Sequence, residues 1–343
     1  MKLGKFVLIS AIAFCAVSCI EGLKNFGVDV DVNKQSQSSS TEFLGIQNEK
    51  NLDAQNSGEI AFTSEAEGTI VTSPITIPSS GSVKAGSLQI KIDEMPEIAK
   101  DAVIEPSQLF LTFDNPAEKP VKFTGNVAVG SENASFTVVV PAKTTGYKVV
   151  ISKDANKEAT GVDAVVAPSS DLGKILDKKP SAPLKLDIEI SDAAKSAVKR
   201  AAADSYVFKI GGKLCIPFHF DAGQKIYIKH TLRDLGLNLA DYDLNANSFD
   251  IYCSVTSSIP FDIACTGKAV NGVTAKTNNP IKAGTIANPV KTDVVISVEG
   301  ARASSTIEEV TLEFELTASA NAKLNKNQSL KFDYSKIKVN ILK

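Results

Sequence analysis

The sequence predicts an all-β chain of two tandem antiparallel β-sandwich units, related by internal duplication and joined by a short helix. Three observations point there. First, apolar and polar residues alternate over short runs. Leu109, Leu111 and Phe113 alternate with Phe110, Thr112 and Asp114, and Phe249, Ile251, Cys253 and Val255 with Asp250, Tyr252 and Ser254. A period of two marks a strand with one buried face. Second, turn signals (SSG, DNP, NNP, VEG) punctuate the runs, as many short strands in a sandwich require. Third, short motifs recur in the same order. Pro74-Ile-Thr-Ile, followed by SSG, returns 143 residues later as Pro217-Phe-His-Phe, followed by DAG. Leu88-Gln-Ile-Lys-Ile is echoed by Ile226-Tyr-Ile-Lys, Thr124-Gly125 by Thr266-Gly267, and Val149-Val-Ile-Ser by Val294-Val-Ile-Ser.

The chain opens on a processing segment. Lys2 and Lys5 give a positive start, Phe6 to Ala13 an apolar stretch, and Ala16-Val17-Ser18 small residues just before Cys19. The apolar run, about 12 residues, is well short of the roughly 20 needed to span a bilayer as a helix. Residues 1–19 resemble the signals cleaved by the lipoprotein signal peptidase. That resemblance implies removal of 1–18, acylation of Cys19 as the mature N-terminus, and a lipid anchor in the cell envelope, with the outer membrane the expected site. Cys15 fits worse, because bulky Phe14 would occupy the cleavage position. The competing reading is an ordinary secretory signal with a chance cysteine.

Residues 19–58 read as a flexible tether. They are rich in Ser, Gln, Asn and Lys, with QSQSSST at Gln35 to Thr41, and bury too little apolar surface to offset the entropy of ordering. The first unit is then expected over 59–200 and the second over 204–343. Ser191 to Asp204, Ala-rich and opened by Ser-Asp, reads as the helix between them. Within the first unit, LFLTFDNPAEKPVKFTG (Leu109 to Gly125) resembles the hydrophobic strand and Asn-Pro turn of late-embryogenesis-abundant type 2 domains, which implies an immunoglobulin-like sandwich without a catalytic site. The second unit departs from it, with Ser258-Ile259-Pro260 and no Asn-Pro. The whole arrangement also resembles envelope lipoproteins with repeated β-domains.

Composition narrows the function classes. The formal net charge is −2, with 37 basic and 39 acidic side chains, and no Lys/Arg run marks a nucleic-acid surface. There is no Trp and there are six Tyr, which counts against a sugar-stacking platform without excluding one. Nucleophile and phosphate-loop motifs such as G-x-S-x-G and G-x-x-x-x-G-K-[ST] are absent. Of the two histidines, His219 alternates with Phe218 and Phe220, so it faces away from them and reads as a surface histidine on a strand. His230 has no Cys or His at ligand spacing. Asp29-x-Asp31-x-Asn33 and Asp241-x-Asp243-x-Asn245-x-Asn247 offer alternate oxygens of the kind calcium loops use, but lack the glycine and glutamate of such loops. A polar turn explains the second series equally well.

Three cysteines remain beyond Cys19. Cys215 is unassigned, and two readings stand for the others. A hairpin centred on Ile259 would set Cys253 opposite Cys265, within reach of a disulfide. Alternatively both are small core hydrophobes, in step with Ile251, Val255, Phe261 and Ile263. Together these observations imply a chain that works by binding or structure, without a cofactor. Its expected partners are the bilayer through Cys19 and either a protein or a glycan.

Overall fold

In the computed structural model the described residues are 26–30, 36–39, 49–55, 57–153, 161–177, 182–193, 205–233, 237–238, 246–300, 306–307 and 309–341. Cys19, the processing segment, Asp241–Asn245 and most of the expected helix lie outside them.

The alternation read in the sequence becomes burial. Along Gln108–Asn115, Leu109, Leu111 and Phe113 are buried to 1% exposure or less, while Phe110 and Thr112 face out. Two hydrophobic cores result, each closed between two antiparallel sheets. The first sandwich uses, in chain order, Ile60–Glu65, Val83–Ile90, Gln108–Asn115, Val121–Val129, Thr144–Ile151, Leu184–Asp192 and Lys209–His219. The second uses Phe26–Val30, Lys225–Leu232, Ala246–Ser257, Phe261–Cys265, Val290–Glu299, Val310–Ala318 and Leu330–Ile341. Numbered one to seven within each sandwich, the strands stand 5-3-7-1 in one sheet and 2-6-4 in the other, in both cases. Further strands extend the sheets: the three-residue Leu52–Ala54 and Ala164–Val166, the latter parallel to its neighbour, and the nine-residue Glu132–Val140 in the first, Thr274–Thr277 and Ser36–Ser39 in the second.

Local chemistry fixes the corners. Asn115, fully buried, ends its strand by donating from Nδ2 to the carbonyls of Lys119, Val140 and Pro141, while its Oδ1 accepts from the Ala117 N–H. This Asx-type turn turns the chain from one sheet to the other. At the corresponding corner of the second sandwich, buried Ser257 accepts from the Ile259 N–H. Gly125 directly opposes Phe136, and a Cβ there would sit 2.2 Å from the ring. The ring therefore lies across the glycine.

The repeats noted in the sequence differ in how they fall. Val149 pairs with Leu111 and Val294 with Cys253, each on the fifth strand beside the third. Leu88 and Ile226 both lie on second strands, but opposite different levels of the sixth, Leu186 and Leu316. Pro74 and Pro217 do not correspond. Ile75–Thr76 is a two-residue strand pairing with Ser205–Tyr206, whereas Pro217 lies near the end of an 11-residue strand.

That long strand, Lys209–His219, crosses the expected division. Ile210, Leu214 and Ile216 are buried in the first core and Phe218 in the second, so residues assigned to the second unit complete the first. Parts of the expected tether are also strand. Phe26–Val30 and Ser36–Ser39 pair with Leu330–Ile341, and Leu52–Ala54 pairs with Ile60–Glu65. Of the expected helix, Ser191 and Asp192 end a strand. The α-helix among the described residues is Ser170–Leu176, with Ser169 accepting the Leu172 N–H at its N-terminus and Leu172, Ile175 and Leu176 buried in the first core.

Candidate binding groove

The outer face of the larger first-sandwich sheet carries a groove of about 690 Å³. Its floor follows from register. Glu65, Lys213 and Phe110 lie side by side on neighbouring strands, as do Gly211, Thr112 and Lys148. Gly211 leaves the floor bare: a Cβ there would meet nothing closer than the Thr69 hydroxyl, at 3.9 Å. Gly212 points the other way, toward Leu111, Leu88 and Ile90. One wall carries Asp53, which accepts a hydrogen bond from the Lys213 ammonium at 2.8 Å. That bond, opposed by partial burial and supported by the Lys213 charge, holds the Asp53 carboxyl below its usual range.

The groove mixes two acids (Asp53, Glu65), two bases (Lys148, Lys213), threonine hydroxyls and the Phe110 ring. Cys215, 3% exposed, lies at one end. Such a lining suits a small polar ligand, with hydrogen bonds set around one apolar face.

A second polar cluster lies where the sandwiches meet. Glu105 Oε1 is 3.1 Å from His219 Nδ1 and 2.7 Å from the Lys323 ammonium, which also stands 3.5 Å from Glu59. Burial would raise the Glu105 carboxyl, but hydrogen bonds and charge from Lys323 and His219 hold it below the usual range. Burial works against the Lys323 charge, and the two glutamates overcome it, raising its pKa. His219 thus faces away from Phe218 and Phe220, as expected, but is enclosed at a junction and not on open surface. The cluster ties His219, at the end of a strand, to Glu59, Glu105 and Lys323 in the connections of both bodies, and reads as structural.

The cysteine pair is corrected in geometry. Ala246–Ser257 and Phe261–Cys265 belong to facing sheets, so no hairpin forms at Ile259. Cys253 instead opposes Val294 and Tyr334, and Cys265 opposes Phe314. Both thiols are free and buried, and burial pushes each up to about 12. His230 is largely buried too. Burial, with Arg233 nearby, depresses it to about 4 and keeps it neutral at pH 7. Among the described residues no group of three or more His, Cys, Asp or Glu is placed to hold a metal.

Sequence reading missed the groove. Its one local signal, Gly211-Gly212 within a strand, is the kind that marks a close approach or a bare floor.

No family model and no curated protein matches the chain. Among solved structures, a presumed secreted protein from Parabacteroides distasonis is 13% identical, with a TM-score of 0.41 over 92% of this chain and 99% of that one. The VP2 protein of infectious bursal disease virus, in a mutant form, is 10% identical with a TM-score of 0.19, over 92% of this chain and 42% of that one.

Proposed function

We propose that the chain is a lipid-anchored envelope lipoprotein that works by holding a partner, without chemistry of its own. The observation that carries this reading is the run Lys2 to Cys19, whose short apolar core and small residues before the cysteine suit processing and acylation. No helix among the described residues is long and apolar enough to cross a membrane, and an acyl chain on Cys19 supplies the bilayer contact that the sandwiches need. The outer membrane is the proposed site. Partner contacts fall on sheet ends such as Lys225–Leu232, the last strand of its sheet. The shared strand order of the two sandwiches supports descent from one duplicated unit.

The test is metabolic labelling with a palmitate analogue, followed by protease shaving of intact and permeabilised cells. Label in the wild type and none in Cys19→Ala supports the anchor, and an unlabelled wild type overturns it. Cleavage of the C-terminal sandwich in intact cells means surface display, whereas protection until permeabilisation means a periplasmic assembly role.

The groove favours a second reading, capture of a small polar ligand or glycan for uptake. Gly211→Leu fills its floor without touching a core. Loss of glycan-array or uptake signal in that variant, at unchanged melting temperature, would support it, and an unchanged signal would refute it.

A further inference from the structure

The two sandwiches share an order of strands but not a source for the first one. In the first sandwich the place beside the seventh strand is filled from just upstream, by Ile60–Glu65, before the chain enters its second strand at Val83. The second sandwich has no such upstream segment of its own. The chain leaves the first sandwich along Lys209–His219, turns over Phe220–Gln224, and enters the second strand at Lys225. The residues that would have made a first strand are already used as the seventh strand of the other body.

The place is filled from elsewhere. Phe26–Val30 pairs antiparallel with Ile341–Ile337, and Ser36–Ser39 continues in the same direction against Asp333–Leu330. One interrupted edge strand therefore closes the second sandwich from a position ahead of the entire first one. Backbone pairing of this kind is the general means by which an extended segment adds to a sheet edge, and an uncovered edge of this length would be a hazard for adventitious pairing.

We propose that the edge of Leu330–Ile341 is a strand-exchange site, and that the Phe26–Ser39 segment closing it within one chain closes the same edge on a second copy. The covering strand is joined to the body it completes only through the first sandwich. Nine residues, 40–48, separate Ser39 from the turn at Glu49–Asn51 that is tied to the first sandwich, and fully extended they reach roughly 30 Å, the span open to a strand that leaves one edge for a neighbour's. Every backbone bond made within the chain is reproduced between chains, so the balance of closed and exchanged forms is set by concentration, while opening of the intrachain ladder sets the rate.

Register supplies the test. Val28 opposes Val339, while Lys331 opposes Ser38, eight residues out of step with Val28. The full chain is made with Val28→Cys alone, Val339→Cys alone, Lys331→Cys alone, and Val28→Cys with Val339→Cys together. Cys15 and Cys19 are replaced by serine in every copy, and the buried Cys215, Cys253 and Cys265 stay outside the oxidation. The double variant is expected to crosslink within one chain. A mixture of the Val28→Cys and Val339→Cys copies is expected to give a two-chain crosslink that rises with concentration and exceeds the Val28→Cys with Lys331→Cys mixture at least tenfold. Equal yields in the two mixtures would overturn exchange. No crosslink in the double variant would overturn the pairing itself.

Discussion

Asn115 is the residue whose replacement should cost the first sandwich most for the fewest atoms changed. It is fully buried, and its amide makes four contacts: to the carbonyls of Lys119 at 3.1 Å, Val140 at 3.1 Å and Pro141 at 2.7 Å, and from the Ala117 N–H at 3.1 Å. Two N–H groups serve three carbonyls, so one is shared. At about 1 kcal/mol net per hydrogen bond, with some backbone groups then left dry, Asn115→Ala should destabilise by about 2–4 kcal/mol. Asn115→Asp is the sharper test. It keeps the shape but turns a carboxylate oxygen toward three carbonyl oxygens, with no donor among them, so at pH 7 it should cost more than alanine. The gap should narrow near pH 4, where a neutral acid regains one donor. Ser257, with its single bond to the Ile259 N–H at 3.2 Å, should cost only about 1 kcal/mol as Ser257→Ala. Urea denaturation followed by far-UV circular dichroism gives all three. If Asn115→Asp is no worse than Asn115→Ala at pH 7, water reaches the corner and the reasoning is wrong.

Other expectations follow from particular contacts. His230 is about 4 in the folded chain against roughly 6.5 unfolded, so its neutral form supports the fold fully above pH 6.5 and that support fades as pH falls toward 4, by up to roughly 3 kcal/mol. Urea midpoints at pH 7 and 4.5 should therefore move further apart in the wild type than in His230→Gln, and equal separations would sink the assignment. Gly284→Ala would place a Cβ 2.0 Å from the Ser257 carbonyl oxygen and 2.9 Å from the Val290 nitrogen, backbone atoms that cannot swing aside, costing about 3 kcal/mol or more. Gly211→Ala, with open space above it, should stay within about 0.5 kcal/mol of wild type. A thiol reagent at pH 8 should leave Cys253 and Cys265 untouched in the native chain and label them in urea, since burial pushes both up to about 12 and the thiolate is the reactive form. Rapid native labelling of either would contradict their place in the core.

How far the sequence was legible depends on the range of the interaction. Alternation is local, so the inward faces of Leu109–Phe113 and Phe249–Val255 were readable from a few residues each, and with them the all-β class. The Val149 and Val294 repeats fell at matching places, each on a fifth strand opposite a buried residue of the third, Leu111 and Cys253. The division between bodies was not readable. Nothing local distinguishes Ile216, buried in the first core, from Phe218, buried in the second, because one continuous strand serves both. The hairpin expected around Ile259 failed for a related reason: register symmetry about a turn says which residues would oppose, not whether the chain stays in one sheet or crosses to the next. The strand at Ser36–Ser39 was hidden by composition, since ladder bonds come from the backbone and its polar side chains gave no sign of pairing, whereas Phe26, Val28 and Val30 do alternate and were passed over because the residues around them are polar. The groove was invisible because it is made by what Gly211 lacks.

The pairing of Phe26–Val30 with the last strand also sets an order in time. The segment that closes the second sandwich leaves the ribosome well ahead of the strand it closes against, with ~300 residues made between them. Contacts of such separation are slow to form, because the loop entropy is lost before the contact repays it. The first sandwich has all its strands once His219 has emerged, so it can finish while the second still waits for Leu330–Ile341. A chain halted or clipped before that point would carry one complete sandwich and one that no earlier segment can close. Completion of the second body thus reports that the chain has been made through Ile341.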